Sequence, residues 1–372
     1  MRSTWLSSLR AVRPSQMTRR QMLVSAAASV GAVGAGIVAL EWLAHVNAPA
    51  TPASYSTAPY VGPESAPGWL LSPANPVLTI DPHSPWTDHG VYDCAVIRQP
   101  NGALWMYYST RGTAPYSIAL AIDATGLGDH WQPYGSAPVL QPAPQESLAI
   151  TGLMRPSLVR GPDGVLRLYY STVATSGIGW IGMATSTDGV NWTKHGSPVL
   201  LPQEPWEHGV LMCPNVLYDA SGGRYLMWFS AGNGYEPDAV GAATSHDGVT
   251  WTRVSAAPIF APTSGWEGYK VGSFQVTHVA GWYYAFYNAF QRTPFRSQIG
   301  MARSRDGVSH WEHHPQNPIL RPGSAHSWNA AMVYKPSALW DATGGRWDVW
   351  FNASGIFNSV EQIGHAWSAG IW

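Results

Sequence analysis

From residue 67 onward, apolar runs no longer than a strand alternate with clusters of Gly, Pro, Asn and Asp. Cys94-Ala95-Val96-Ile97 leads into the turn Gln99-Pro100-Asn101-Gly102 and a second run over residues 104–109. Pro156-Ser157-Leu158-Val159 leads in the same way through Gly161-Pro162-Asp163-Gly164 to residues 166–171. Two apolar runs joined by a Gly-containing turn predict a β-hairpin. A third run follows, Ile118-Ala119-Leu120-Ala121, and returns as Ile181-Gly182-Met183-Ala184, Val240-Gly241-Ala242-Ala243, Ile299-Gly300-Met301-Ala302 and Ile363-Gly364-His365-Ala366.

These runs belong to a repeat. A Pro with two apolar residues recurs at Pro76, Pro138, Pro198, Pro258 and Pro318, at intervals of 62, 60, 60 and 60 residues, and Trp69, Trp131, Trp192, Trp251 and Trp311 precede them by six or seven. A period of this length identifies one supersecondary unit that buries its core only against its neighbours. Each unit predicts three clear strands and a weaker outer strand near the Trp. Five units over residues 67–372 predict an all-β fold, a five-bladed β-propeller of about 60 residues per blade, with a solenoid as the alternative. Gly68-Trp69-Leu70 resembles an outer strand, so the N-terminal strand is expected to complete the last blade. In Ser186-Thr187-Asp188-Gly189, Ser245-His246-Asp247-Gly248 and Ser304-Arg305-Asp306-Gly307 the Asp caps backbone amides and the Gly takes positive φ, which marks Asp188, Asp247 and Asp306 as structural.

The N-terminus breaks the pattern. Thr18-Arg19-Arg20-Gln21-Met22-Leu23, the uncharged residues 24–40 and the small residues Ala48-Pro49-Ala50 predict an N-terminal export-signal helix over residues 1–50 that resembles a twin-arginine signal. The expected destination is periplasmic or extracellular; an uncleaved membrane anchor is the alternative, and no other membrane association is expected. Residues 51–66, rich in Ser, Thr, Pro and Ala, read as a flexible linker. Cys94 and Cys213 are too few for a disulfide scaffold.

Charge narrows the partner. Residues 1–50 hold five Arg and one Glu, so their removal changes 21 basic against 22 acidic residues into 16 against 21, a net charge of −5. Nucleic acid is excluded as a partner, because binding its backbone requires clustered Lys and Arg. Twenty Trp and 17 Tyr with 12% charged residues suit a carbohydrate, whose apolar sugar faces stack on aromatic rings. No metal or cofactor is expected, since the 13 His show no ligand spacing and no Gly-rich phosphate loop leads from a strand into a helix.

Alignment of the five first strands through their hairpins makes Asp93, Arg155, Cys213, Ser273 and Lys335 equivalent, at the centre of the ring. Charges converging on one axis imply either a paired structural cluster or a site. Just upstream come Trp86 with Asp88-His89, Trp206 with Glu207-His208, Trp266 with Glu267, and Trp328 with Asn329. Glycoside cleavage needs two carboxyl groups flanking the scissile bond. Asp93, Asp88, Glu207 and Glu267 are the candidates, with Arg155 or Lys335 keeping one carboxylate ionised and a Trp-packed Glu raised by desolvation.

The units, with their Met-Tyr-Tyr-Ser or Met-Trp-Phe-Ser second strands and the Ile-Gly-Met-Ala-Thr-Ser-x-Asp-Gly-Val-x-Trp motif, resemble five-bladed glycoside hydrolases of the furanosidase superfamily, families 43, 32, 68 and 130, over residues 67–372. The resemblance implies a base or nucleophile at Asp93. The second- and third-blade carboxylates of those families fall on Arg155 and Met212. The expected function is therefore an exported glycoside hydrolase acting on a furanoside or related linkage in oligo- or polysaccharides. In it Asp93 is base or nucleophile, Glu207 the acid and Glu267 its reserve. Substrate contacts are expected from Asp88, His89, Arg155, His208, Lys335, Trp86, Trp206 and Trp266, with packing between blades as the other reading of the repeated Trp. The alternatives are a non-catalytic carbohydrate-binding propeller and an enzyme for an acidic sugar.

Overall fold

The computed structural model describes residues 62–144, 146, 150–233, 236–356 and 360–372. The export-signal segment and most of the linker lie outside the described residues. The described end of the linker is held: Ser65 bridges Leu320, and buried Ala66 donates its N–H to Ile319 O at 2.9 Å.

Among the described residues all regular structure beyond short turns is β. After β1 (Trp69–Leu71), unit one comprises β2 (Gly90–Arg98), β3 (Leu104–Arg111), β4 (Ile118–Asp123) and β5 (Gln132–Pro133). Unit two comprises β6 (Met154–Arg160), β7 (Leu166–Val173), β8 (Gly179–Ser186) and β9 (Thr193–Lys194). Unit three comprises β10 (Leu211–Asp219), β11 (Arg224–Ala231), β12 (Ala239–Ser245) and β13 (Thr252–Arg253), and unit four β14 (Lys270–Val279), β15 (Trp282–Gln291), β16 (Arg296–Ser304) and β17 (Glu312–His313). Unit five has β18 (Met332–Asp341), β19 (Arg346–Ser354) and β20 (Glu361–Ala369), and its fourth strand is β1, antiparallel to β20 with Leu70 opposite Trp367. The predicted closure by the N-terminal strand is present. The inner strands β2, β6, β10, β14 and β18 each pack against the next, and β18 returns to β2, so the units form a closed ring.

The repeat signals have physical counterparts. The second residue after each repeated Pro forms an isolated bridge to the third strand of its own unit, as in Leu140 with Ile118 and Leu200 with Ile181. In the Asp-Gly turns, Asp188 Oδ1 accepts the N–H of Val190 and Asn191 at 2.8 Å, while Gly189 takes φ of 78°. Asp247 and Asp306 repeat this capping, which accounts for all three aspartates.

Each unit also reaches into the next. Tyr107, Tyr169 and Trp228 carry a polar tip on an apolar ring and donate to the carbonyls of Gly189, Gly248 and Gly307 at 2.6–2.7 Å. Nearer the axis, Val216 N–H donates to Ser157 Oγ, Val276 to Asn215 Oδ1, Ala338 to Gln275 Oε1 and Val96 to Ser337 Oγ, at 2.9–3.1 Å. At the boundary between units one and two, Ala95 occupies the acceptor's place and offers Leu158 nothing.

Candidate active site

Each inner strand carries a bulge where its register against the second strand shifts. At each bulge one non-Gly residue adopts φ between 49° and 57°: Asp93, Arg155, Cys213, Ser273 and Lys335. A bulge bends the strand and re-aims one side chain. The left-handed conformation is costly for such residues and persists where the surroundings fix it. Here a second-strand side chain of the preceding unit accepts the bulge N–H. Asn352 Oδ1 serves Asp93, Ser109 Oγ serves Arg155, Ser171 Oγ serves Cys213, Ser230 Oγ serves Ser273 and Asn288 Oδ1 serves Lys335. A uniform backbone thus presents five different side chains around a cavity of about 80 Å³.

The charged members form one cluster. Arg155 Nε lies 3.4 Å from Asp93 Oδ2, and Lys335 Nζ lies 3.5 Å from Asp93 Oδ1 and 3.8 Å from Glu236 Oε1. Glu361 completes the group, receiving Arg111 Nη1 at 3.2 Å and the Tyr334 hydroxyl. Glu236 and Glu361 come from segments that join second to third strands, between β11 and β12 and at the start of β20. Both bridges from Lys335 together place Asp93 and Glu236 at most about 7 Å apart. Three carboxylates, Asp93, Glu236 and Glu361, face three cations, Arg111, Arg155 and Lys335.

The environments of these carboxyl groups diverge. Burial raises the pKa of Asp93, against the opposing pull of Lys335 and Arg155, and its side chain is only 4% exposed. Its oxygens accept no hydrogen bond among the described residues and meet the cations only as longer ion pairs. Burial also acts to raise Glu361, but Arg111, Lys335 and the Tyr334 hydroxyl outweigh it and hold that carboxyl below its ordinary value. Burial and Arg155 both act to discharge Lys335, while Asp93 and Glu236 outweigh them and raise its pKa, so the ammonium keeps its proton. Asp93 and Glu361 thus sit in opposite electrostatic environments within one cluster.

The predicted rim residues lie elsewhere. Glu207 is fully buried, with Arg253 of β13 at 2.7 and 2.9 Å, and accepts the N–H groups of Gln203 and Glu204. Glu267 accepts the Thr263 and Tyr287 hydroxyls at 2.6 and 2.8 Å and faces His313 of β17 at 3.3 Å. Both carboxylates bind the outermost strands of their own units, and the structure does not join them to Asp93. Trp206 and Trp266 lie over Gly241 and Gly300, stacked on Phe229 and tilted against Tyr287. A Cβ on either glycine would meet the indole at 3.1 or 2.6 Å, so these Trp fill space inside their units. Asp88 accepts the Thr113 N–H and lies 2.9 Å from the exposed His89. His208 is exposed and closes the short turn Pro205–Glu207 with φ of 48°. Trp86 is half-buried with its N–H on Ser84. Of the eleven residues, Asp93, Arg155 and Lys335 meet in the axial cluster.

Glu236 and Glu361 lie outside the repeat motifs. The sequence held one signal for them: with Asp238, they are the only acidic residues between second and third strands or at the start of a third strand. Among the described residues no group of three His, Cys, Asp or Glu is arranged to hold a metal ion, and no helix is long and apolar enough to cross a membrane.

No protein family and no curated protein matches the sequence. Solved structures do match the fold. A glycosyl hydrolase from Bacteroides ovatus is 17% identical with a TM-score of 0.66, over 84% of this chain and 97% of that one. A structure from the family 130 mannoside phosphorylases, which contain glycoside hydrolases targeting β-1,2 mannosidic linkages in Candida mannan, is 18% identical with a TM-score of 0.64, over 84% and 97%. An N-acetylgalactosamine deacetylase from F. plautii, in complex with blood group B trisaccharide, is 19% identical with a TM-score of 0.60, over 82% and 95%. The chain has the propeller-like fold of glycoside hydrolases, a scaffold that also hosts other chemistry.

Proposed function

We propose that the protein is a five-bladed β-propeller glycosidase, exported by a twin-arginine route, that cleaves a furanoside or related linkage in oligo- or polysaccharides with Asp93 and Glu236 as its carboxyl pair. The observation that carries this reading is the bridge from Asp93 through Lys335 to Glu236 at the axis. The support for export is the sequence of residues 18–50 alone.

Burial keeps Asp93 protonated above the ordinary carboxyl range, which suits it to protonate the leaving oxygen in place of the base or nucleophile role implied by the resemblance. Glu236, partly exposed at 14%, is the partner that activates water or attacks the anomeric carbon. Glu361, held ionised, provides negative charge toward a developing oxocarbenium ion. Arg155 and Lys335 orient these carboxylates.

The test is turnover of arabinan, fructan, xylan and mannan, followed by aryl glycosides. Asp93→Asn is expected to lower polysaccharide cleavage by about 10³-fold and to spare aryl glycosides with good leaving groups, which need no proton. Glu236→Gln is expected to lose both and to regain turnover with azide. Loss of both kinds of substrate in Asp93→Asn, with azide rescue, would return Asp93 to the base or nucleophile role. A second reading, a non-catalytic carbohydrate-binding protein, is favoured by Arg155, which fills a place where the resemblance expects a carboxylate and ion-pairs with Asp93. Glycan binding without product under every condition would establish that reading instead.

A further inference from the structure

Glu236 sits in a connection whose shape is set largely from the neighbouring unit. Lys270, the first residue of β14, crosses the boundary between units three and four. Its Nζ lies 2.9 Å from Asp238 Oδ1, 3.0 Å from Asn233 O and 2.9 Å from Glu236 O. The ammonium donates to the two carbonyls and adds an ion pair with the Asp238 carboxylate. Its side chain is only 13% exposed, and Nζ stands 5.5 Å from the centre of the Tyr269 ring.

The other contacts reinforce this attachment. Asp238 Oδ2 accepts the Asn233 N–H at 2.7 Å, closing the segment on itself. Pro237 packs against Gly272, where an added Cβ would lie 2.2 Å from the proline ring, so the proline seats only against a glycine. Asp238 also donates its N–H to Ala231 O and accepts that of Val271. A backbone carbonyl held at Glu236 itself, with the next two residues clamped, leaves the direction of the Glu236 side chain to its own rotamers.

We infer that Lys270 is the positioning residue for Glu236, fixing from the adjacent unit the backbone that aims this carboxylate at Lys335 and Asp93. It does not touch the reacting atoms and acts only through Glu236. This inference rests on the assignment of Glu236 to the carboxyl pair.

The test is a double-mutant cycle in the full-length protein on an aryl furanoside that the wild type cleaves. Lys270→Met is expected to lower kcat by about 10- to 100-fold with KM within about twofold, since misplacement costs the reacting geometry rather than ground-state binding. In the Glu236→Gln background, assayed for its residual turnover, Lys270→Met is expected to cost nothing further. Lys270→Arg, which keeps the charge in a different donor geometry, is expected to fall between. Equal losses in both backgrounds, or unchanged kcat in a folded Lys270→Met protein, would overturn the inference while leaving Glu236 in place. Wild-type turnover in Glu236→Gln, or none in the wild type, would instead remove the assignment on which it depends.

Discussion

Glu207 and Glu267 at the rim, and Glu236 and Glu361 around the axis, are all glutamates withdrawn from water, yet their partners differ in kind. Each rim glutamate is enclosed by its own unit: Glu207 by Arg253 and two backbone amides, Glu267 by two hydroxyls and His313. The axial pair meets cations from other units: Glu236 meets Lys335 of unit five, and Glu361 meets Arg111 of unit one. A buried carboxylate satisfied within one unit holds that unit together, whereas one satisfied across units has joined a shared site. Burial alone does not separate the two, and the origin of the partners does.

The largest effect that would break this contrast is on turnover. Glu236→Gln is expected to cost about 10³-fold in kcat with little change in unfolding free energy, whereas Glu207→Gln leaves kcat within about twofold. Loss of turnover in a stably folded Glu207→Gln protein would erase the distinction. Next in size is stability. Glu207→Gln leaves the Arg253 guanidinium, 11% exposed, without its counter-charge and is expected to cost about 3 kcal/mol in urea unfolding, the usual penalty for removing one partner of a buried pair.

A third effect concerns the seam between units five and one. Buried His365 lies 2.7 Å from Asp129 Oδ1 through Nδ1 and 3.0 Å from Asp348 Oδ1 through Nε2, with Arg346 on Asp348 and Trp350 stacked on the ring. Burial opposes its charge, but the two carboxylates outweigh it and raise the pKa above 6.5. The folded state therefore holds the proton more tightly. The contribution to stability is complete below the unfolded pKa of about 6.5 and is lost as pH rises through the higher folded value. Unfolding free energy measured from about pH 6 to pH 9 is expected to fall with this slope, and His365→Gln to remove it. The smallest effect sharpens the comparison between seams. Ala95→Ser supplies the hydrogen-bond acceptor missing opposite Leu158 and is expected to add about 1 kcal/mol by chemical denaturation.

How far the sequence revealed this arrangement follows from what repeats. Strands, Asp-Gly turns and the closing role of β1 were legible because the same chemistry recurs near every sixty residues. The bulge positions were legible because the hairpins after them align, which makes Asp93, Arg155 and Lys335 equivalent in the sequence itself. Glu236 and Glu361 escaped because their connections differ in length from unit to unit and lie outside any motif. Glu207 and Glu267 count as candidates beside Asp93 in the sequence because a glutamate beside a repeated Trp reads the same whichever way it faces. Their direction is decided by Arg253 and His313, each 46 residues later on an outer strand of only two residues. For the repeated Trp, packing between blades and sugar stacking are both open in the sequence, and the glycines beneath Trp206 and Trp266 show that these two pack, within their own units.

The pairing of β1 with β20 also orders events during synthesis. Among the described strands β1 leaves the ribosome first and its partner β20 last, so the ring stays an open arc until β20 emerges. Throughout that interval the pairing edges of β1 are bare, and an unpaired edge invites a strand from another nascent chain. A translational pause anywhere between β1 and β20 would lengthen that exposure by its own duration.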